Sequence, residues 1–378
     1  MFTFENIYKA YLQCRKNKRN TINALKFEQN LLENLWELTH ALQNRSYKVG
    51  TSFCFLASFP KLREVFAADF KDRVVHHVLV NAIEQMYERK FIYDVYNNRK
   101  NRGIHQAKKR VAGWMQSDPQ GYYLQLDIKG FFYQLNKEIL YKKLFTDVQK
   151  STLTHKDDIL WLAHTLIYHD PAQNYLFKGN KKGLEALPPH KTLFKIPKNR
   201  GLPIGNLTSQ FFANVYMSSF DHFVKRELKI KCYVRYVDDF VLLNSSKQRL
   251  ETVYIQIGKY LKKELHLSLS EDSKLRKNVE GLDFLGYIIR PYYTLVRQRV
   301  VNNFKKKKAQ YLTVYEAQKG KMKLAEIKQF LSVQASFVSH SKHVPDRRDK
   351  CPWGANSYNL NQTTGVLNET NPFDYDRA

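Results

Sequence analysis

The chain has 378 residues, and its 62 Lys+Arg against 35 Asp+Glu give a formal net charge of +27. The length excludes a small disulfide-stapled scaffold, and the charge indicates a polyanionic partner such as nucleic acid. Because 43% of the residues are hydrophobic and 14% are aromatic, we expect a packed core rather than disorder.

The four cysteines are scattered and form no C-x-x-C pair, which argues against a disulfide framework or a zinc module. A reducing cytoplasm is therefore the expected compartment. The N-terminal segment has no apolar core of a secretory signal, and no stretch approaches the roughly 18 apolar residues of a membrane span. We expect a soluble protein with no membrane partner.

Apolar residues at helical spacing predict an amphipathic helix over residues 22–43 and a second helix over 70–90. Asp69 is the expected N-cap of the second helix. The basic stretch Arg15–Arg19 is either a nucleic-acid arm or a solvated end. His76 and His77, within the second helix, are interpreted as structural or surface residues.

Residues 96–110 form a basic patch with hardly any acid to balance it. The segment 122–128, YYLQLDI, then alternates apolar and polar residues, which predicts a strand with one buried face. Asp127 falls on the opposite face, near the end of that strand.

The rest of the chain predicts alternating elements and then a helical, lysine-rich region. In chain order these are a helix from about residue 137, a loop over 170–203, a helix over 207–228 capped by Asn206 or Thr208, a hairpin over 231–244, a helix over 247–264, a strand within 281–290, helices with Lys305–Lys308 to about residue 338, and a loosely ordered tail over 339–378.

Three aspartates carry the chemistry: Asp127 at a strand end, and Asp238 with Asp239 at the tip of the hairpin. Adjacent carboxylates at a tight turn repel each other unless a cation holds them. Mg²⁺ prefers oxygen ligands and keeps water and substrate phosphate in its shell. Two such ions about 4 Å apart would stabilise the attacking oxygen and the leaving pyrophosphate of a nucleotidyl transfer.

Four segments resemble the motifs of reverse transcriptases. YVDD (236–239) resembles their catalytic box, and LQLDIKGFF (124–132) resembles their first aspartate motif. GLPIGNLTSQFFANVYMSSFDHFVK (201–225) resembles the nucleotide-site and template motif, and LDFLGY (282–287) resembles the primer grip. LPPHKTLF (187–194), together with Ser209-Gln210, resembles one subgroup, the reverse transcriptases of diversity-generating retroelements, which are related to group II intron enzymes.

The resemblance implies an α+β right-hand polymerase with an antiparallel palm sheet backed by helices and a helical thumb. It places an N-terminal helical extension at 1–50, fingers at 51–120, the palm at 121–290, a helical thumb at 291–338 and a polar tail at 339–378. The implied activity is RNA-directed DNA synthesis by two-metal nucleotidyl transfer, in the cytoplasm of a bacterial or phage-infected cell.

The resemblance also implies the site residues. Asp127, Asp238 and Asp239 would be catalytic and would hold two Mg²⁺ ions, or Mn²⁺ in their place, with the carbonyl of Ile128 as a further ligand. The nucleotide-binding residues would be Lys61, Arg63, Phe132, Ile204 and Gly205, and the template and primer contacts would be Arg99, Lys100, Arg102, Ser209, Gln210, Tyr236, Leu285 and Gly286.

Two of the nucleotide-binding residues have a physical reading. The Phe132 ring would clash with a 2′-hydroxyl and so select deoxynucleotides. Ile204 stands where many relatives have Gln, and an Ile cannot hydrogen-bond near the incoming nucleotide. Selectivity comes from polar groups that the wrong partner leaves unpaired, so Ile204 predicts error-prone copying.

The implied partners are template RNA, a DNA primer or cDNA, dNTPs, and a small basic accessory protein that forms an oligomer. Two alternatives stay open. The first is a retron or group II intron-type reverse transcriptase, although the chain has no Cys/His nuclease module and no V-T-G tripeptide near the thumb. The second is a catalytically inactive RNA-binding scaffold, although all three aspartates are present.

Overall fold

The computed structural model describes residues 1–16, 18–19, 21–57, 61–318 and 322–342. The chain divides into two compact units, Met1–Glu280 and Gly281–Ala378. Cys14, Cys54 and Cys232 are free thiols, as the scattered cysteines predicted. Cys351 and most of the expected tail, residues 343–378, lie outside the described residues.

Twelve α-helices and ten strands lie in the described residues. The helices are α1 (Phe4–Arg15), α2 (Ile22–Gln29), α3 (Leu31–Gln43), α4 (Phe70–Lys90), α5 (Ile104–Ser117), α6 (Phe131–Gln134), α7 (Lys137–Gln149), α8 (Lys156–Tyr168), α9 (Leu207–His222), α10 (Lys247–Leu265), α11 (Gln298–Ala317) and α12 (Leu324–Lys342). The strands are β1 (Ser52–Ala57), β2 (Arg63–Ala67), β3 (Tyr122–Leu126), β4 (Tyr175–Lys178), β5 (Cys232–Tyr236), β6 (Asp239–Asn244), β7 (Lys274–Lys277), β8 (Leu282–Phe284), β9 (Tyr287–Ile289) and β10 (Thr294–Val296).

The predicted N-terminal helix is two helices, α2 and α3, because the backbone leaves the helical region at Asn30 (φ −122°, ψ 50°). The Asn34 side chain donates to the Phe27 carbonyl (2.9 Å) and so satisfies one carbonyl at the end of α2. Arg15 pairs with Glu28 (2.6 Å) and joins α1 to α2. Arg15 is therefore engaged within the protein rather than in a free basic arm.

The second predicted helix is confirmed as α4. The Asp69 carboxylate accepts a hydrogen bond from the Lys71 amide (3.4 Å), as expected of an N-cap. His76 is 5% exposed, and burial lowers the pKa of its imidazole to about 3. A neutral, buried His76 agrees with the structural interpretation of this residue.

The central sheet has the strand order β5-β6-β3-β7 and is antiparallel throughout. The predicted strand and hairpin are confirmed as β3 and β5–β6. Four consecutive residues of β6, 240–243, are buried because the strand is covered on both faces. The helix α10 supplies a fully buried apolar stripe at helical spacing: Leu250, Val253, Ile257, Leu261 and Leu265.

A second sheet, β2-β1-β4, contains a strand that the sequence did not predict. β4 pairs in parallel with β1, and its residues alternate between half-buried and exposed. It lies in the segment 170–203, whose Pro, Gly and Lys content indicates a loop. Pairing with β1 overrides that local signal.

The helix predicted over 207–228 is α9 followed by a π-helical turn, Phe223–Glu227. Asn206 occupies the N-cap position, but its side chain does not cap α9. Its Oδ1 accepts instead from the amide of Ala68 (3.1 Å) and ties the start of α9 to the end of β2. The expected capping role of Asn206 is therefore corrected.

In the second unit, the single strand predicted within 281–290 is a hairpin, β8–β9, extended by β10. The chain reverses at Leu285 (φ 51°) and Gly286 (φ 88°). The turn was not predicted because the apolar residues of 281–290 form a nearly continuous run, which is typical of a single strand. α11 and α12 pack through the stacked rings of Phe304 and Phe337 (4.1 Å), and α12 continues to Lys342, past the expected end of the helical region.

None of the helices in the described residues combines the length and the apolar character needed to cross a membrane.

Gly205 allows the loop before α9 to lie against β2. Its φ is +121°, and a Cβ there would approach Val65 Cγ1 to 2.7 Å. We expect Gly205→Ala to lower the free energy of unfolding by about 3 kcal/mol, the sum of backbone strain and overpacking. Gly179→Ala is the matched control. The φ of Gly179 is +96°, but no atom lies within 4 Å of an added Cβ, so backbone strain alone should lower the free energy of unfolding, by about 1–2 kcal/mol. Equal losses in urea denaturation would contradict the close-contact argument.

Candidate active site

Asp127 lies just beyond the end of β3, and the main chain on both sides of it is fixed. Its carbonyl accepts from the Ser270 amide (2.8 Å), and the amide of Lys129 donates to the Ser268 carbonyl (3.0 Å). These two bonds flank the bridge between Ile128 and Leu269. The bridge therefore does not itself use the carbonyl of Ile128, which the sequence analysis named as a metal ligand.

Asp238 lies in the two-residue turn between β5 and β6, where Tyr236 pairs with Asp239. The preceding residue, Val237, has a φ of +61°, a conformation that is costly for a β-branched side chain. Hairpin turns with a positive φ at this position usually have glycine there. The turn that carries Asp238 is thus strained, and the surrounding structure must maintain it.

Asp127 and Asp238 share one electrostatic environment. Burial, together with the negative charge of Asp238, raises the pKa of Asp127 to about 6, although the positive charge of Lys61 acts in the opposite direction. Burial also raises the pKa of Asp238, whereas Arg63 and Lys61 lower it. The structure therefore brings together two carboxylates that repel each other and two cations that partly offset the repulsion.

Asp239 differs from the other two aspartates, because its Oδ1 accepts from the Gln125 side chain (3.4 Å). In the described part of the chain, no three His, Cys, Asp or Glu side chains are grouped so that they could hold a metal ion. Carboxylate oxygens are the donors that a divalent cation such as Mg²⁺ prefers, and Asp127 and Asp238 supply two such groups in one electrostatic environment. A metal role for Asp239 stays a prediction.

The nucleotide-binding residues of the sequence analysis lie on two adjoining segments. Lys61 and Arg63 are exposed at the start of β2, and their positive charges lower the pKa of Asp238. The Ile204 carbonyl accepts from the Phe66 amide (2.9 Å), so the loop containing Ile204 and Gly205 pairs with β2.

Phe132, in α6, is half-buried and packs edge to face against Phe131 (5.4 Å between ring centroids). Its carbonyl accepts from the Leu202 amide (2.8 Å), which ties α6 to the loop before α9. Phe132 thus follows Asp127 on one short segment that is anchored at both ends.

The template assignment of Arg99 is not retained. Its side chain is only 4% exposed and pairs with Glu88 (2.9 Å), and its guanidinium also donates to the carbonyls of Ile92 (2.7 Å) and Val95 (3.1 Å). All of these partners lie within the protein, so Arg99 has a structural role.

Lys100 and Arg102 remain at the surface. Lys100 is 82% exposed and lies 3.4 Å from Glu84. The guanidinium of Arg102 lies 3.8 Å from the ring centroid of Tyr93, and that ring is itself 61% exposed. A cation stacked on an exposed aromatic ring is typical of surfaces that bind nucleic acid.

The other expected template and primer residues occupy different positions. Ser209 is buried and Gln210 is exposed in the first turn of α9, and Tyr236 is half-buried at the end of β5. Leu285 and Gly286 form the turn of the β8–β9 hairpin, in the second unit.

The sequence analysis missed Arg235, which holds the strained turn. Arg235 is fully buried and donates two hydrogen bonds to Asp221 (2.6 and 2.8 Å) and one to the Val237 carbonyl (2.9 Å). A lone arginine within an apolar β-run was a signal that could have identified it, because a buried charge requires a partner.

Two asparagines complete the support of the turn. The Oδ1 of Asn97 accepts from the amide of Val237 (3.0 Å), and Asn214 donates to the Asn97 carbonyl (2.9 Å). Asn214 also accepts from Arg235 (3.2 Å). The amide of Val237 is thus held by a side chain 140 residues earlier, and its carbonyl is held by Arg235, two residues earlier. Sequence periodicity alone could not reveal the first of these contacts.

This geometry agrees with the comparisons with known proteins. Residues 60–289 match the family of reverse transcriptases (RNA-dependent DNA polymerases). Because the match covers more than half of the chain, the chain belongs to this family. The expected α+β fold of a right-hand polymerase is thereby confirmed, as is the expected membership in the family of RNA-dependent DNA polymerases.

Individual relatives are distant. Protein YkfC of Escherichia coli (strain K12) is 23% identical over 286 residues, which cover 66% of this chain and 69% of that protein. Telomerase of Candida albicans, solved with a fragment of telomeric RNA, is 12% identical over 64% of this chain and 44% of its own, with a TM-score of 0.44. Telomerase of Candida tropicalis truncated from its C-terminal domain is 14% identical over 70% and 60%, also with a TM-score of 0.44. The chain thus spans less than two thirds of these telomerase chains.

The raised pKa of Asp127 predicts a pH-dependent gain from Asp127→Asn. The folded chain binds this proton more tightly than the unfolded chain, whose Asp pKa is near 3.8. Stability is therefore lost as the pH rises from about 4 to about 6, and the penalty is constant above that. In the presence of a chelator, the variant should be more stable than wild type by roughly 1–3 kcal/mol at pH 7.5 and equal to it at pH 3.5. A gain of the same size at both pH values would contradict this origin.

Removing the Asn97 acceptor should misplace Asp238. We expect Asn97→Ala to reduce kcat for DNA synthesis about 10- to 100-fold with little change in the dNTP KM, because Asn97 holds the turn. Adding Val237→Gly should restore part of the loss, since glycine adopts a positive φ without strain. Steady-state kinetics of the single and double variants check this. No recovery in the double variant would mean that strain at Val237 is not what Asn97 opposes.

Proposed function

We propose that the chain copies a template RNA into cDNA at a site centred on Asp127 and Asp238. The observation that carries this proposal is that these two carboxylates interact electrostatically at one end of an antiparallel sheet, where Lys61 and Arg63 act on them as well. Two carboxylates can bind divalent cations, and two exposed cationic side chains can bind a triphosphate, so the four groups fit nucleotidyl transfer from a nucleoside triphosphate.

The carboxylates of Asp127 and Asp238, with the carbonyl of Ile128, would hold the cations, and Mg²⁺ suits this oxygen donor set. When bound, the ions supply charge stabilisation to the attacking 3′-oxygen and to the leaving pyrophosphate. Mn²⁺ is expected to substitute. Asp239, held by Gln125, is the third carboxylate of the motif.

Lys61 and Arg63 would bind and orient the triphosphate, since charge-assisted hydrogen bonds to phosphate are the strong ones. The Phe132 ring would lie against the sugar and exclude a 2′-hydroxyl. Ile204 and Gly205 would line the nucleotide site from the loop that pairs with β2.

The grip on template and primer would come mainly from contacts to phosphate and sugar, because a polymerase must copy any sequence. The exposed Lys100 and Gln210 and the half-buried Arg102 offer polar groups for this. Ser209, Tyr236, Leu285 and Gly286 are assigned by motif, and the lysines of α11 would follow the duplex.

The subdomains would be fingers at 51–120, palm at 121–290 and thumb at 291–338, preceded by the helical extension 1–50. The catalytic aspartates and the central sheet all fall in the proposed palm. The compact units divide ten residues earlier, after Glu280, because the β8–β9 hairpin belongs with the C-terminal unit.

We further propose that the enzyme serves a diversity-generating retroelement, making error-prone cDNA with a small basic accessory oligomer. The support is the resemblance of LPPHKTLF and Ser209-Gln210 to that subgroup, together with Ile204 in place of Gln. A retron or group II intron-type enzyme would use the same catalytic residues.

Polymerase activity tests the catalytic assignment. On poly(rA)/oligo(dT) with dTTP and Mg²⁺, Asp238→Asn should lose at least about a hundredfold in rate, because the variant loses a charged ligand at the reacting atoms. Asp157→Asn is the matched control: it removes the same charge from an exposed position in α8 and should leave the rate unchanged. Equal activity of Asp238→Asn and the control would overturn the assignment. If wild type is inactive, the assay is repeated with the native RNA and accessory protein, and continued inactivity would reject the polymerase function.

Ile204→Gln tests the basis of low fidelity. An amide at this position can hydrogen-bond near the incoming nucleotide, so we expect fewer substitutions opposite template adenines, by a few-fold. Sequencing of cDNA made by both enzymes on one template gives the error spectrum. An unchanged spectrum at template adenines would reject a fidelity role for Ile204.

A further inference from the structure

A basic cavity of about 620 Å³ lies beside the segment that carries Asp127 and Phe132. We propose that it is a second polyphosphate-binding site, separate from Lys61 and Arg63. Its ligand would be the pyrophosphate group, as it occurs in an incoming nucleoside triphosphate or in released pyrophosphate. The proposal deepens the polymerase function and rests on it for the site's role in the reaction.

The charge of the lining supports an anionic ligand. The cationic and imidazole side chains that line the cavity are His190, Lys195, Arg200, Lys262 and His266, and its described lining contains no Asp or Glu. None of these five side chains makes a hydrogen bond or an ion pair with another described residue. Arg235 and Arg99, by contrast, have carboxylate partners. A cluster of like charge without such partners raises the local concentration of anions.

The walls of the cavity are bonded to the catalytic segment. Ser268, which lines the cavity, accepts from the Lys129 amide (3.0 Å), two residues after Asp127. On the other side, the His190 carbonyl would lie 3.3 Å from a Cβ placed at Gly130. Tyr133, which also lines the cavity, directly follows Phe132. The anion-binding groups therefore adjoin the part of the chain where the reaction would consume triphosphate and release pyrophosphate.

Size and chemistry favour a small polyphosphate over a nucleic-acid strand. A volume of about 620 Å³ lies in the usual range of small-molecule sites. Sites for single-stranded nucleic acid generally present exposed aromatic rings for stacking. The described lining of this cavity contains one residue of the Phe, Tyr and Trp class, Tyr133, which is 7% exposed and offers no such face.

Direct binding tests the inference without turnover. Inorganic pyrophosphate is titrated into the full chain by calorimetry in EDTA, so that no divalent cation contributes at Asp127 and Asp238. Lys195→Gln/Lys262→Gln should weaken binding at least about tenfold, as expected for lost charge-assisted hydrogen bonds. Both lysines are exposed, so the variant is expected to fold, which circular dichroism checks. Lys263→Gln is the matched control: Lys263 neighbours Lys262, is 85% exposed and lies outside the lining. It should bind as wild type does.

Two further measurements separate the alternatives. Lys61→Gln/Arg63→Gln should retain pyrophosphate binding. If this variant lost pyrophosphate binding and the cavity variant did not, the site would lie at Lys61 and Arg63 and the proposal would be overturned. No binding by wild type, or equal weakening by Lys263→Gln, would also overturn it. A cavity variant that loses affinity for an RNA oligonucleotide but not for pyrophosphate would show an RNA site instead.

Titration with dTTP distinguishes the sources of the ligand. Binding of both ligands indicates that the cavity takes up the incoming nucleoside triphosphate and also receives released pyrophosphate. Binding of pyrophosphate alone indicates that it receives only the released pyrophosphate. Either result supports the site. Pyrophosphate binding by a chain that does not polymerise would reject the polymerase function and leave the site intact, whereas polymerisation without such binding would reject only the site.

Discussion

The carboxylates of Asp127 and Asp238 repel each other in a half-buried environment, and the surrounding structure is organised to hold them there. Burial raises the pKa of each, so that ionisation costs folding free energy at neutral pH. The exposed cations Lys61 and Arg63 offset only part of this cost. A divalent cation would remove much of the rest, and this links the stability of the site to its chemistry.

The strained turn depends on interactions that are far more buried than the aspartates themselves. Arg235 and Asp221 are 0% and 1% exposed and form an ion pair whose geometry satisfies both charges. Through the Val237 carbonyl, this pair fixes a backbone conformation that valine does not favour. Breaking a pair of this kind typically costs about 3–5 kcal/mol. Buried polar interactions therefore hold the turn that positions the Asp238 side chain.

The sequence predicted the elements that depend on local pattern. Regular spacing of apolar residues predicted α4 and β3, and an aspartate pair between apolar runs predicted the β5–β6 hairpin. It did not predict β4, whose strand state comes from pairing with β1, or the role of Asn97, which lies 140 residues before the turn it supports. Arg99 was misread because a basic run in sequence does not reveal which of its members are buried. Long-range pairing and burial are properties of the fold, and periodicity carries little information about them.

The account rests on Asp127 and Asp238 acting together as a divalent-cation site. Titration of Mn²⁺ followed by electron paramagnetic resonance measures this directly, with Asp127→Asn, Asp238→Asn and the exposed Asp157→Asn as variants. We predict that the first two each weaken Mn²⁺ binding at least about tenfold, because each removes a charged oxygen ligand, and that the third binds as wild type does. Unchanged Mn²⁺ affinity in both site variants would contradict the account.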